Sequence, residues 1–86
     1  MRKSMTGIAT IIVTYNGSRW IKKCLEHLFQ SSVSSDIILL DNKSTDDTIE
    51  IISPFLEKIE FIQLPSNLGF GGANNIGIQR ALDLGY

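Results

Sequence analysis

This sequence has little of what would place it in a specialised class. One cysteine in 86 residues excludes an internal disulfide and fits a reducing compartment. A net charge of −1 leaves no basic footprint for nucleic acid. The opening Met1-Arg2-Lys3-Ser4-Met5 is basic, but the apolar stretch behind it contains Thr10 and Thr14. That stretch lacks a small-residue cleavage site and is far too short to span a bilayer. Repeats, low-complexity tracts and linkers are absent as well. These absences predict a soluble, cytoplasmic domain. What is present is a globular composition, 43% hydrophobic, in a chain long enough for one core and short for a complete α/β enzyme.

The most informative segment is Ile37-Ile38-Leu39-Leu40 followed by Asp41-Asn42-Lys43-Ser44-Thr45-Asp46-Asp47-Thr48. Four aliphatic residues in a row suit a strand buried on both faces, as in a parallel sheet covered by helices. The run stops at a carboxylate, so Asp41 falls at the carboxyl end of a central strand, where open α/β sheets bind ligands. Residues 8–14 predict a first strand, broken by Asn16-Gly17, and residues 61–64 a third, closed by Pro65.

Between them lie helical patterns. Ser18 is expected to cap a helix that buries Ile21, Cys24, Leu25, Leu28 and Phe29, with Lys22, Lys23, Glu26, His27 and Gln30 on the solvated face. Ser44 or Thr45 is expected to cap a second, with Asp46 and Asp47 in its first turn and Ile49, Ile52, Leu56 and Ile59 inward. Pro54 interrupts that stripe, and Ser53-Pro54 suits the start of a separate short helix better. A third helix runs through Ile76, Ile78, Ala81 and Leu82 to a cap at Gly85, and Tyr86 is expected to open a fourth strand.

This βαβαβα order with short connections predicts a three-layer α/β/α fold with a parallel sheet and right-handed crossovers. Three turns then converge at one end of the sheet: Thr14-Tyr15-Asn16, Asp41-Asn42-Lys43-Ser44, and the glycine- and asparagine-rich residues 67–75. An aromatic, an acid and a glycine-rich helix start are what a nucleotide needs. Tyr15 offers a face for a base, and Asp41 an acceptor for a pyrimidine N3–H or a ribose hydroxyl. Gly69, Gly71 and Gly72 allow close backbone approach at the positive end of a helix.

Each has a plainer alternative. Asp41 can serve only to form its turn, Tyr15 to cover a sheet edge, and Gly71 and Gly72 to allow close packing. Asp46 is better read as a capping residue than as a contact. Two other nucleotide-linked classes fit less well. A receiver-type phosphorylation module needs an acidic pair after its first strand, where this chain has Tyr15-Asn16. A dinucleotide-binding oxidoreductase needs its glycines after the first strand rather than the third. A non-catalytic nucleotide-binding module stays open.

The chain resembles the N-terminal, nucleotide-binding half of family 2 glycosyltransferases, which have the GT-A fold. The motifs that carry the resemblance are Ile11-Ile12-Val13-Thr14-Tyr15-Asn16, Asp41-Asn42-Lys43-Ser44-Thr45-Asp46 and Asn67-Leu68-Gly69-Phe70-Gly71-Gly72-Ala73-Asn74-Asn75-Ile76-Gly77. The last is most similar to the bacterial rhamnosyltransferase branch, which acts in cell-surface polysaccharide synthesis. The resemblance implies strand order 3-2-1, with a fourth strand beside the first, and an inverting sugar transfer to a saccharide or lipid-linked acceptor hydroxyl. It implies a uridine or thymidine diphosphate sugar donor, contacted by Thr14, Tyr15, Asn16, Asp41, Asn42 and Ser44. Asn67, Gly69, Gly71, Gly72, Asn74 and Asn75 would line the diphosphate-sugar side. Many relatives carry an arginine at the position of Asn74, so charge neutralisation by this helix departs from the family pattern.

The resemblance also implies Mg²⁺ or Mn²⁺, held by an acidic motif at the end of a fourth strand. Neither those ligands nor the general base is expected among residues 1–86, which read as the first part of a longer, cytoplasmic or membrane-peripheral enzyme. The first strand would then have an unpaired aliphatic edge and an uncovered face, open to self-association.

Overall fold

The computed structural model describes residues 7–86; the basic opening segment lies outside the described residues. The elements are β1 (Ala9–Thr14), α1 (Ile21–Gln30), β2 (Asp36–Asp41), α2 (Thr48–Ile52), β3 (Glu60–Gln63) and α3 (Gly69–Asp83). A 3₁₀ segment, Ser53–Lys58, links α2 to β3. The three strands are parallel, with β2 in the centre, as the sequence predicts.

The period of a strand explains the layers. Successive side chains of β2 point to opposite faces, and all six of its residues are buried. Ile37 and Leu39 join Ile12, Ile21, Leu25, Ile52 and Ile59 on the side of α1 and α2. Ile38 and Leu40 join Leu64, Ala73 and Ala81 on the side of α3. Each fully buried Ile or Leu contributes roughly 1.5–3 kcal/mol relative to exposure, so the doubly covered strand anchors the whole molecule.

As Ser53-Pro54 suggested, the second helix stops at Ile52 and a separate 3₁₀ helix begins at Ser53, so the full stripe does not form; several other expectations are corrected. Ile52 and Ile59 are buried, but Ile49 and Leu56 are exposed. On α3 the exposed residues include Ile76, Ile78 and Leu82, while the buried ones are Ala73, Gly77 and Ala81. Small residues four apart let this helix approach closely: a Cβ on Gly77 would lie 2.7 Å from Ile11 Cγ2 and 2.8 Å from Leu40 Cδ1. Consequently α3 covers the face of β1 that the sequence left bare. Ser18 does not cap α1, which starts after Trp20 with no side-chain cap; the Gly17 carbonyl instead accepts from the Trp20 and Ile21 amides. Phe29 is 39% exposed and stacks on Phe55 at 5.9 Å beneath the Lys58 ammonium.

The far end of α3 closes as expected. Gly85 takes φ +98, its amide donates to Leu82 and that of Tyr86 to Ala81, which is a Schellman closure. Tyr86 does not extend a strand; its hydroxyl donates to the Asp36 carboxylate at the start of β2.

Candidate functional site

The carboxyl end of the sheet is built from the three turns the sequence singled out, and two asparagines tie them together. Asn16 sits in the left-handed region at φ 52, which asparagine tolerates better than most residues. Its Oδ1 accepts from the amides of Thr45 at 2.8 Å and Asp46 at 3.3 Å, and its own amide donates to Ser44 Oγ at 2.8 Å. Asn42 is buried and joins the second turn to the third. Its Oδ1 accepts from the Leu68 amide at 3.0 Å, and its Nδ2 donates to the Gly69 carbonyl at 3.1 Å.

Asp41 is not the exposed acid that a strand tip suggests. The turn folds back over it through Lys43, a second left-handed residue at φ 61. The Ser44 amide then donates to Asp41 Oδ2 at 2.8 Å and Ser44 Oγ donates to Oδ1 at 2.5 Å. From β3, Gln63 Nε2 donates to Oδ2 at 3.0 Å. The carboxylate is fully buried by these partners. Neither Ser44 nor Thr45 caps α2 as expected: the helix follows Asp47 with no side-chain cap, and Asp46 accepts from its first residue, Thr48. The Thr48 hydroxyl above all holds the Asp46 carboxyl down at about 2, against the opposing effect of burial and with smaller help from the Thr48 amide and Ser18.

Thr14 is buried beside Asp41, and its Oγ1 has no hydrogen-bond partner among the described residues. Gly17 lies over it: a Cβ there would come 2.5 Å from Thr14 Oγ1 and 2.9 Å from the Trp20 ring. Tyr15 is about half exposed, at 49%. The third turn becomes helical earlier than expected, so Gly69, Gly71 and Gly72 form the first turn of α3, and Asn74 and Asn75 fall on the next. Asn67 Oδ1 accepts from the Gly69 amide at 2.8 Å. Phe70 and Gly71 follow, at positions whose amides have no partner within the helix, and nothing lies within 4 Å of the space a Cβ on Gly71 would fill.

The structure therefore brings together Thr14, Tyr15, Asn16, Asp41, Asn42, Ser44, Asn67 and Gly69. Asn74 and Asn75 lie further along α3. Two residues of this edge were missed. Gln63 could have been found as the polar residue inside the otherwise apolar run 61–64; Gly17 left no signal beyond its turn.

Among the described residues no three His, Cys, Asp or Glu side chains gather as a metal site. Of the acids of this edge, Asp41 and Asp46 are already engaged by hydroxyl and amide donors. The residues present thus do not fit the divalent cation that the resemblance implies, and no chemical step is assigned to one here. No described helix is long and apolar enough to cross a membrane.

Comparison with known proteins gives the same class as this geometry. Residues 9–83 match the family model described as glycosyl transferase family 2, and the chain belongs to that family. It is 35% identical over 82 residues to an uncharacterized glycosyltransferase of Haemophilus influenzae, covering 91% of this chain and 33% of the relative. It is 33% identical over 79 residues to the O-antigen chain rhamnosyltransferase WbaN of Salmonella anatum, covering 90% of this chain and 25% of that protein. It is 36% identical over 76 residues to a teichoic acid poly(glycerol phosphate) polymerase of Staphylococcus epidermidis, covering 81% and 10% respectively. The chain thus spans a third or less of the length of these curated relatives.

Proposed function

We propose that residues 1–86 are the N-terminal, donor-nucleotide-binding part of an enzyme that transfers a sugar from a nucleoside diphosphate, of the uridine or thymidine type, to an acceptor hydroxyl in cell-surface polysaccharide synthesis. The observation that carries this reading is the cross-linked edge, where Asn16 and Asn42 hold three strand-following turns in one arrangement. Pre-ordered loops at the carboxyl end of a parallel sheet are where such folds take ligands. Tyr15 presents its ring for the base and the first turn of α3 its amides for the diphosphate, while the buried Asp41 carboxylate would accept from an N–H or hydroxyl of the nucleotide in place of the Ser44 hydroxyl. The named relatives support the assignment to surface polymers, since two of them build O-antigen and teichoic acid. Activation of the acceptor hydroxyl needs a general base, and none of the side chains at this edge is assigned that role.

Calorimetric titration with uridine and thymidine diphosphate, and with NAD as the contrasting ligand, tests the reading. The pyrimidine diphosphates should bind more tightly than NAD. Asp41→Ala should weaken them by roughly 1.5–3 kcal/mol, the range for a hydrogen bond to a charged group, and Asp41→Asn should weaken them less. A preference for NAD, or parental affinity in both variants, would overturn it.

A further inference from the structure

The last rung of the sheet on the α1 and α2 side is polar across all three strands. Thr14 pairs in register with Asp41, and Asp41 with Gln63. Two positions earlier, on the same face, Ile12, Leu39 and Phe61 belong to the core. Gln63 itself is exposed, so packing selects no particular side chain there.

Its hydrogen bonds do. Gln63 Nε2 lies 3.0 Å from Asp41 Oδ2, 3.3 Å from the Asp41 carbonyl and 3.2 Å from the Leu64 carbonyl. All three are acceptors, which fixes the nitrogen end of the carboxamide toward them and leaves Oε1 pointing elsewhere. The other donors to the carboxylate come from Ser44, in the same turn as Asp41. Gln63 is the one donor from another strand among the described residues. A carboxylate held only by its own turn moves with that turn; a donor on β3 ties its plane to the sheet. Oδ2 accepts two hydrogens and Oδ1 one, so the remaining lone pair is on Oδ1.

We propose that Gln63 is a positioning residue for donor-nucleotide recognition, holding the plane of the buried Asp41 carboxylate through Oδ2. This rests on the reading of Asp41 as a nucleotide contact. The other charged residues of the Asp41 turn are Lys43, Asp46 and Asp47, of which Asp46 is engaged by Thr48 and Ser18. On β3, Glu60 is paired with Arg80 at 2.7 Å.

The test is titration of uridine diphosphate into the full chain for the parent, Gln63→Leu and Gln63→Glu, between about pH 5 and about pH 8. Gln63→Leu should bind roughly tenfold more weakly, since a donor to a charged group is lost. Gln63→Glu should bind roughly tenfold more weakly at about pH 8 and recover toward the parent near pH 5, because two carboxylates this close share a proton that restores the donor. The recovery is read within one protein, so it decides the matter even if Gln63→Leu fails to fold. Parental affinity in both variants while Asp41→Ala still loses binding would overturn this role and leave the proposed function standing. Weak binding of Gln63→Glu at every pH would also overturn it. Parental affinity in Asp41→Ala would instead remove the underlying reading.

Discussion

Removing the Asp41 carboxylate would strand the Ser44 amide and hydroxyl and take from the Gln63 carboxamide one of its three acceptors. Asp41→Ala should therefore lower stability by about 1–3 kcal/mol in denaturant melts, the cost of leaving buried partners unsatisfied. A strand-tip acid read from sequence alone suggests no such loss, because the turn that buries it depends on a left-handed Lys43 and a partner 22 residues away. Asp46 is tested by acid instead. Its carboxyl titrates near about 2 in the folded chain, below the roughly 3.9 of an unfolded aspartate. The sign follows: its contribution is present above the unfolded value and is lost as pH falls toward the folded one. Asp46→Asn should thus flatten the dependence of melting temperature on pH between about 4 and 2. A variant with the parental acid slope would show that Thr48 does not stabilise this carboxylate.

Among the elements, β2 and α1 were legible in the sequence because an aliphatic run and a regular stripe each admit one environment. The buried face of α3 was not. Alanine and glycine carry almost no hydrophobic signal, so the eye follows Ile76, Ile78 and Leu82, while proximity to the sheet selects Ala73, Gly77 and Ala81. Gly77→Ala separates the two effects. Helix propensity favours alanine by about 1 kcal/mol, whereas the added carbon overlaps Ile11 Cγ2, which cannot swing away from its own branch point. Overpacking of this kind costs about 1–3 kcal/mol, so the net effect in melts should be a loss of up to about 2 kcal/mol. Gly71→Ala, with open space around it, should not destabilise. The site was legible to the extent that loops after parallel strands share one end. The clasps through Asn16, Asn42 and Gln63 were not, since they join residues that only the register brings together.

At the scale of the whole molecule, β1 pairs with β2 alone among the described residues. In that ladder the Asp36 amide donates to Ile8 and the Asn42 amide to Thr14, so even-numbered residues of β1 face β2 and Ile11 and Val13 turn their amides outward. Amide exchange should show Ile12 protected and Ile11 and Val13 fast in dilute solution. Natural sheets guard such edges with charge, proline or a bulge, and Ile11-Ile12-Val13 has none. Raising the concentration should therefore slow the outward amides together with an increase in apparent size by chromatography. Concentration-independent exchange would show that this edge does not associate with itself.

The neighbouring residues Asp41 and Asn42 are delivered to opposite faces of the sheet, one to the turn before α2 and the other to the start of α3. The four aliphatic residues before them are nearly interchangeable in size and polarity, so they carry no label saying which face each should serve. Parity does that work: an even or odd count along the strand decides which side receives the acid and which the amide. Deleting any one residue from Ile37-Ile38-Leu39-Leu40 would leave a strand of the same composition, yet exchange the two polar groups. The chain would keep material for both of its cores while each turn received the other's fastening.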